Sequence, residues 1–144
     1  MDCSWNQLTS LPLLPRELKV MDCSYNCLSD LPLLPEGMTK LYCYSNHLTD
    51  LSPPESLETL NCHFNQITSL PLLSKGMKVL YCSDNPLKYV PFFSKRPSYL
   101  DVPRSLTEKH SAENYQEGYR LQETNRYLFL TFFTEVGVQL EFLA

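Results

Sequence analysis

The chain has 144 residues, of which 43% are hydrophobic and 19% charged, a balance typical of one globular domain. Its formal net charge of −4 argues against nonspecific binding to nucleic acid or to anionic lipid, because both require a basic surface. The longest apolar run, at residues 127–133, is too short to span a bilayer. We therefore expect neither a nucleic-acid partner nor a membrane span.

An asparagine recurs through the first two thirds of the chain. Asn6, Asn26, Asn46, Asn65 and Asn85 follow one another at spacings of 20, 20, 19 and 20 residues. A cysteine stands three residues before each of them, at Cys3, Cys23, Cys43, Cys62 and Cys82. A fixed period of this length predicts a solenoid built from stacked copies of one structural unit.

Apolar residues hold fixed places in each copy, in the frame L-x-x-L-x-C-x-x-N-x-L-x-x-L-P. The alternation around the cysteine predicts a short strand with leucine and cysteine on one face. One copy cannot bury that face alone, so copies are expected to stack as a parallel sheet with strands about 4.8 Å apart. The asparagine amide is expected to satisfy backbone groups of the turn after the strand and to form a row.

The second half of each copy is rich in proline, as in Leu-Pro-Leu-Leu-Pro at residues 11–15 and again at 31–35. Proline at this density excludes a helix. It predicts an extended or polyproline II-like return leg between one strand and the next.

This frame resembles the leucine-rich repeat family, with cysteine in place of the third leucine. The L-P-x-L-P leg is similar to a short subclass, of roughly 20 residues, found in bacterial type III effectors, including ubiquitin ligases, and in giant-virus proteins. Over residues 1–102 the resemblance implies an α/β solenoid. Its arc would carry a short-stranded parallel sheet on the concave face, extended convex legs and a C-terminal helical cap.

We divide the chain into a repeat solenoid at residues 1–104 and a capping helix with a tail at 105–144. Met1 aligns with Met21, so the chain starts within a repeat; we expect Trp5 and its neighbours or a partner to cover that edge, unless the chain is a truncated copy. A capping box at residues 105–108 predicts a helix from near Leu106 to about residue 133. Residues 138–143 alternate as a strand does. A separate partner- or membrane-docking helix is the alternative to a cap.

The outward positions of the predicted sheet, expected to form the concave surface, are unusually aromatic. Tyrosine and tryptophan are enriched in binding hot spots, because they bury a large area at low entropic cost. The residues predicted to bind a protein partner are Asp22, Tyr25, Tyr42, Tyr44, Asn61, His63, Tyr81, Asp84, Tyr99 and Asp101. Trp5 and Phe64 are expected instead to pack inward against the turn.

The repeated cysteines are expected to be buried thiols, with Cys27 an exposed free thiol. This favours a reducing, cytoplasmic compartment over a disulfide scaffold, and we predict no metal and no cofactor. Cys82-Ser83-Asp84 matches the Cys-x-Asp nucleophile motif of the ubiquitin-ligase effectors. Because Cys82 falls in the buried row of a repeat, we predict no catalytic site there.

These features predict a non-catalytic, monomeric protein–protein interaction scaffold in the cytoplasm, of the kind used by pathogen effectors or viral repeat proteins. Two alternatives stay open. The chain is the substrate-recognition part of a larger enzyme, such as a repeat-bearing ubiquitin ligase, or it is a structural repeat protein without a dedicated partner.

Overall fold

A computed structural model describes residues 1–88, residues 97–103 and Leu106. Its described part contains one sheet of five parallel strands in the order β1-β2-β3-β4-β5. The strands are β1 (Val20–Asp22), β2 (Lys40–Tyr42), β3 (Thr59–Asn61), β4 (Val79–Tyr81) and β5 (Tyr99–Asp101). A single bridge from Asp2 to Asp22 extends the same pairing into the first copy of the repeat. One strand per copy, each paired with the next, confirms the predicted solenoid.

The strand register follows the period of the sequence. Leu41 pairs with Met21 on one side and with Leu60 on the other, although the first step is 20 residues and the second 19. The missing residue falls in the return leg at residues 51–57, where no ladder bond depends on it. A deletion inside a strand would move the later side chains of that strand to the opposite face of the sheet.

The core is the row of central strand residues with the apolar residues around it. Met21, Leu41, Leu60 and Leu80 are fully buried, as are the repeat leucines Leu28 and Leu48 on the far side of the asparagine. Burial of each such side chain stabilises the fold by about 1.5–3 kcal/mol. The apolar frame of the sequence therefore corresponds directly to the buried spine.

Each described return leg ends in a tight turn. The amide of Met38 donates to the carbonyl of Pro35 at 2.9 Å, and the amide of Leu57 donates to that of Pro54 at 3.0 Å. The legs also carry leucines that face water: Leu13, Leu33 and Leu72 are 88%, 89% and 61% exposed. The extended or polyproline II form of the legs stays a prediction.

The chain from Arg104 to Ala144 forms a unit separate from Met1–Pro103. Of this second unit only Leu106 is described; it is helical and buried. The capping helix predicted to about residue 133, the strand predicted at 138–143 and their covering role lie outside the described residues. Within the described part, no helix is long and apolar enough to cross a membrane.

Candidate protein-binding face

The solvent-facing side of the sheet, with the turn that follows each strand, is called here the outer sheet face. It comprises residues 20, 22, 24 and 25 and their equivalents in the other copies of the repeat. None of the ten predicted binding residues is buried, and all ten occupy this face. Their role in binding stays a prediction.

One backbone position on this face is left-handed in every described copy. The residues with positive φ are Trp5, Tyr25, Ser45, Phe64 and Asp84, at 56°, 53°, 54°, 52° and 51°. This region costs an L residue roughly 1–2 kcal/mol, and aspartate tolerates it better than an aromatic residue does. Because the position recurs whatever side chain it carries, the turn from strand to leg requires it.

The left-handed turn directs its side chain towards water. Trp5 is 71% exposed and Phe64 is 55% exposed. The prediction that these two rings pack inward is therefore wrong. The sequence did not identify these two rings as surface residues. Both occupy the same repeat position as Tyr25, and that equivalence was the signal for their exposure.

The asparagine row holds the turn in place. Asn46 Nδ2 donates to the carbonyl of Cys43 in its own copy and to that of Cys23 in the preceding copy, both at 3.1 Å. Its Oδ1 accepts from the amide of Leu28 at 3.0 Å. Asn26, Asn65 and Asn85 make the same set of bonds. The predicted row is thus confirmed, and each amide also ties two neighbouring copies together.

Five rings form a continuous set of contacts across the outer sheet face, called here the aromatic ladder. Trp5 stacks on Tyr25 with ring centroids 3.7 Å apart, and Tyr25 meets Tyr44 edge to face at 5.1 Å. Tyr44 stacks on His63 at 4.6 Å, and His63 meets Phe64 at 5.1 Å. Such arrangements are favourable for aromatic pairs. The ladder joins three predicted binding residues to the two misassigned rings.

The remaining predicted aromatic residues lie further along the face. Tyr81 and Tyr99 form a second ring pair with centroids 4.7 Å apart. Tyr42 is half-buried on β2 and belongs to neither group of rings in the described part of the chain. The structure therefore divides the predicted aromatic set into the ladder, one separate pair and one single tyrosine.

Carboxylates lie towards both ends of the face. Asp2 Oδ1 accepts from the amide and the hydroxyl of Ser4, at 2.9 and 2.7 Å, and the amide bond is the main reason that the pKa of Asp2 is lowered. Asp22 Oδ1 accepts from the amide of Ser24 at 3.0 Å. At the far end, Asp101 Oδ2 accepts from the hydroxyl of Ser83 at 2.6 Å. These bonds fix where the negative charge sits.

Partial burial shifts the pKa of two ladder rings towards the neutral form. Burial raises the pKa of the Tyr44 phenol, and the charge of Asp22 raises it further. Burial lowers the pKa of His63, although Asp84 and Asp101 oppose this shift. These two rings belong to the copies of β2 and β3, between the acidic ends of the face.

Ser24 is an unusual polar residue on this face. Its side chain is completely buried, and its Oγ has no hydrogen-bond partner. Ser24 Oγ lies beside the Tyr44 phenol, close enough to oppose part of that group's pKa rise, but no hydrogen bond of good geometry joins the two. An unpaired buried hydroxyl costs free energy, so this one is a candidate for a ligand contact.

The five repeated cysteines follow the strands on their inner side, whereas Cys27 lies beyond the asparagine. All six are free; Cys23, Cys43, Cys62 and Cys82 are buried, and Cys27 is exposed as predicted. Each buried thiol donates to a carbonyl of the next copy, as Cys23 does to Tyr42 at 3.5 Å. Burial raises the pKa of Cys23 and of Cys62 to about 12 and also raises that of Cys82. A buried, protonated thiol is a poor nucleophile, which argues against a catalytic Cys82.

No described group of three or more His, Cys, Asp or Glu side chains is arranged to hold a metal ion. The face therefore offers rings, carboxylates and one unpaired hydroxyl as its chemistry.

No protein-family model and no curated protein sequence matches the chain. Among solved structures, YopM from Yersinia enterocolitica WA-314 is similar, with a TM-score of 0.61 and 33% identity over 69% of this chain. The aligned part is 22% of the YopM chain, so this chain spans about a fifth of that protein. A Shigella effector LRR domain aligns at 28% identity and a TM-score of 0.45, over 83% of this chain and 74% of that one.

The repeat frame, the one-strand-per-copy sheet, the asparagine row and the likeness to YopM agree with one another. The chain is a leucine-rich repeat protein, similar to YopM over the part that aligns.

Proposed function

We propose that the chain is a non-catalytic scaffold that binds a partner protein on its outer sheet face, the concave face of the family's arc. The aromatic ladder carries this proposal. Its terminal rings, Trp5 and Phe64, are more than half exposed, although neither the core nor the strand pairing needs an aromatic residue there. Exposed, contiguous rings of this kind are typical of protein-binding sites.

The scaffold beneath the rings is suited to this role. The asparagine amides and the paired strands fix the spacing of successive copies, so the outward side chains start from ordered positions. Binding to a preorganised surface costs less conformational entropy than binding to a loose one. In a rigid repeat array, less of the contact energy of the rings is offset by the entropy of ordering the surface, so more of it contributes to affinity.

The chemistry of the thiols supports a binding role and a compartment. Cys82, the one cysteine in a nucleophile-like motif, is buried and donates to the carbonyl of Asp101 at 3.2 Å. The free state of all six cysteines, with Cys27 exposed, suits a reducing compartment such as the cytoplasm. The effector-type repeat supports action inside a host cell as part of this proposal.

Affinity capture with matched variants tests the proposal. In the ladder variant, Tyr25, Tyr44 and Phe64 are each replaced by Ser; in the leg variant, the exposed Leu13, Leu33 and Leu72 are replaced by Ser. Proteins captured by the wild type and by the leg variant are expected to be missing from the ladder variant. Circular dichroism and a thermal melt establish that each variant is folded. A folded ladder variant that retains every captured protein would contradict the proposal.

A further inference from the structure

The charges around the aromatic ladder point to the chemistry of the partner. Acidic side chains stand at one end of the outer sheet face in Asp2 and Asp22, and at the other in Asp84 and Asp101. Among the described residues of this face, Lys40 is the one lysine or arginine. The face is therefore acidic at both ends and aromatic between them, within a chain of formal net charge −4.

These carboxylates are ordered, and no described lysine or arginine forms an ion pair with them, although the Met1 ammonium attracts Asp2. The ion pair found in the described residues, Lys78 with Glu58 at 2.7 Å, involves none of them. Asp2 and Asp22 each use Oδ1 to accept from the serine two residues later, and within the described structure Oδ2 of each accepts no bond. A cationic partner group can pair with that second oxygen without breaking the existing bonds.

The unpaired hydroxyl supplies a second, independent indication of a ligand. Ser24 Oγ is fully buried beside the Tyr44 phenol without a hydrogen-bond partner, and the backbone amide of the same residue donates to the Asp22 carboxylate. A guanidinium group presents five N–H donors in a planar fork and also stacks on aromatic faces.

We infer that the outer sheet face binds a basic, extended segment of the partner protein, with arginines stacked on the aromatic ladder and paired with the carboxylates at its two ends. This inference rests on the proposed function and specifies its partner. Arginine fits better than lysine because it combines ring stacking with bidentate pairing to a carboxylate.

The fold also sets the spacing of the basic residues. Asp22 lies on β1 and Asp101 on β5, four strand intervals apart. At about 4.8 Å per interval this is roughly 19 Å, which an extended peptide of about six residues covers. The segment is thus expected to cross the strands with arginines separated by about five or six positions.

Fluorescence anisotropy with labelled synthetic peptides tests the inference. The probe has two arginines at each end of a serine–alanine spacer of about four residues, which matches the estimated span. One control peptide places all four arginines at one end, and a second replaces every arginine by glutamate. The wild-type protein is expected to bind the probe at low salt, to bind the clustered peptide about tenfold more weakly and not to bind the acidic peptide.

Two charge-matched variants locate the binding. Replacing Asp22→Asn together with Asp101→Asn is expected to weaken probe binding about tenfold or more. Replacing Asp30→Asn together with Asp50→Asn, which are exposed and lie off the outer sheet face, changes the net charge equally and is expected to leave the affinity unchanged. Equal weakening by both pairs, tight binding of the acidic peptide or no binding of the probe would overturn the inference.

The two proposals fail separately. If the ladder variant loses the captured proteins while the wild type ignores the arginine probe, the interaction function stands and the basic partner is wrong. If the folded ladder variant keeps every captured protein, the interaction function itself fails.

Discussion

The two sides of the strands are built by different rules. On the inner side, the same cysteine and the same asparagine recur in five copies. Each of these cysteines donates to a carbonyl of the next copy, and the four asparagines that follow a complete copy make the same set of bonds. On the outer side, the left-handed position holds tryptophan, tyrosine, serine, phenylalanine and aspartate in successive copies. Each inner side chain packs against the equivalent side chain of the neighbouring copy, so every copy needs the same residue type there. On the outer side, packing between neighbouring copies does not restrict the residue type. These residues can therefore vary to fit another molecule.

This contrast predicts large stability effects from inner substitutions and small ones from outer substitutions. Three measurements of the free energy of unfolding test it, and they are ordered by the size of the expected effect.

The largest effect is expected for Asn46→Asp. The substitution keeps the size of the side chain but replaces the Nδ2 donor, which bonds the carbonyls of Cys23 and Cys43, by an oxygen that repels them. An uncompensated buried charge costs about 3–5 kcal/mol, and urea unfolding at pH 7 measures the loss. The matched substitution Asp30→Asn, on an exposed residue, is expected to change the stability by less than about 0.5 kcal/mol. If Asn46→Asp lowers the free energy of unfolding by less than about 1 kcal/mol, the asparagine row does not hold neighbouring copies together.

An intermediate effect is expected from the buried thiols at alkaline pH. The folded-state pKa of Cys62 is raised from 9.0 to about 12, so above pH 9 the unfolded chain releases a proton that the folded chain keeps. The contribution of this thiol to the free energy of unfolding is complete below pH 9. It falls by about 1.4 kcal/mol per pH unit between pH 9 and pH 12.

The variant Cys62→Ala isolates this contribution. Between pH 9 and pH 10 its stability is expected to fall by about 1 kcal/mol less than that of the wild type. Cys27→Ala removes an exposed thiol and is expected to leave the steepness unchanged. Equal slopes for Cys62→Ala and the wild type would mean that this thiol is open to solvent.

The smallest effect is expected at the left-handed position of the outer side. Ser45 has a φ of 54°, and glycine adopts this region without the penalty of about 1–2 kcal/mol that a side chain incurs. Since glycine costs about 0.5–1 kcal/mol more backbone entropy, Ser45→Gly is expected to stabilise the protein by about 0.5–1 kcal/mol. The control Ser29→Gly, at an exposed residue without positive φ, is expected to be neutral or destabilising. A destabilising Ser45→Gly would show that the serine side chain itself holds the turn.

Much of the inner side follows from the sequence alone. The spacing of Cys3, Cys23, Cys43, Cys62 and Cys82 predicts the strands, the buried row and the parallel order, and the recurring asparagine predicts the bonded row. These features depend on contacts between equivalent residues of identical copies. The repeat period therefore determines the register of the strands, and the leg at residues 51–57, which is one residue shorter, does not change it.

The arrangement of the outer side was decided by the tertiary structure. The side chains of Trp5 and Phe64 point outward because their backbone is left-handed. Residue preferences do not predict that conformation for an aromatic residue. The stacking of Tyr44 on His63 and the complete burial of Ser24 depend on which side chains neighbouring strands bring together. A repeat dictates by itself whatever each copy shares with the next, whereas the surface formed by unlike side chains exists only once the copies are stacked.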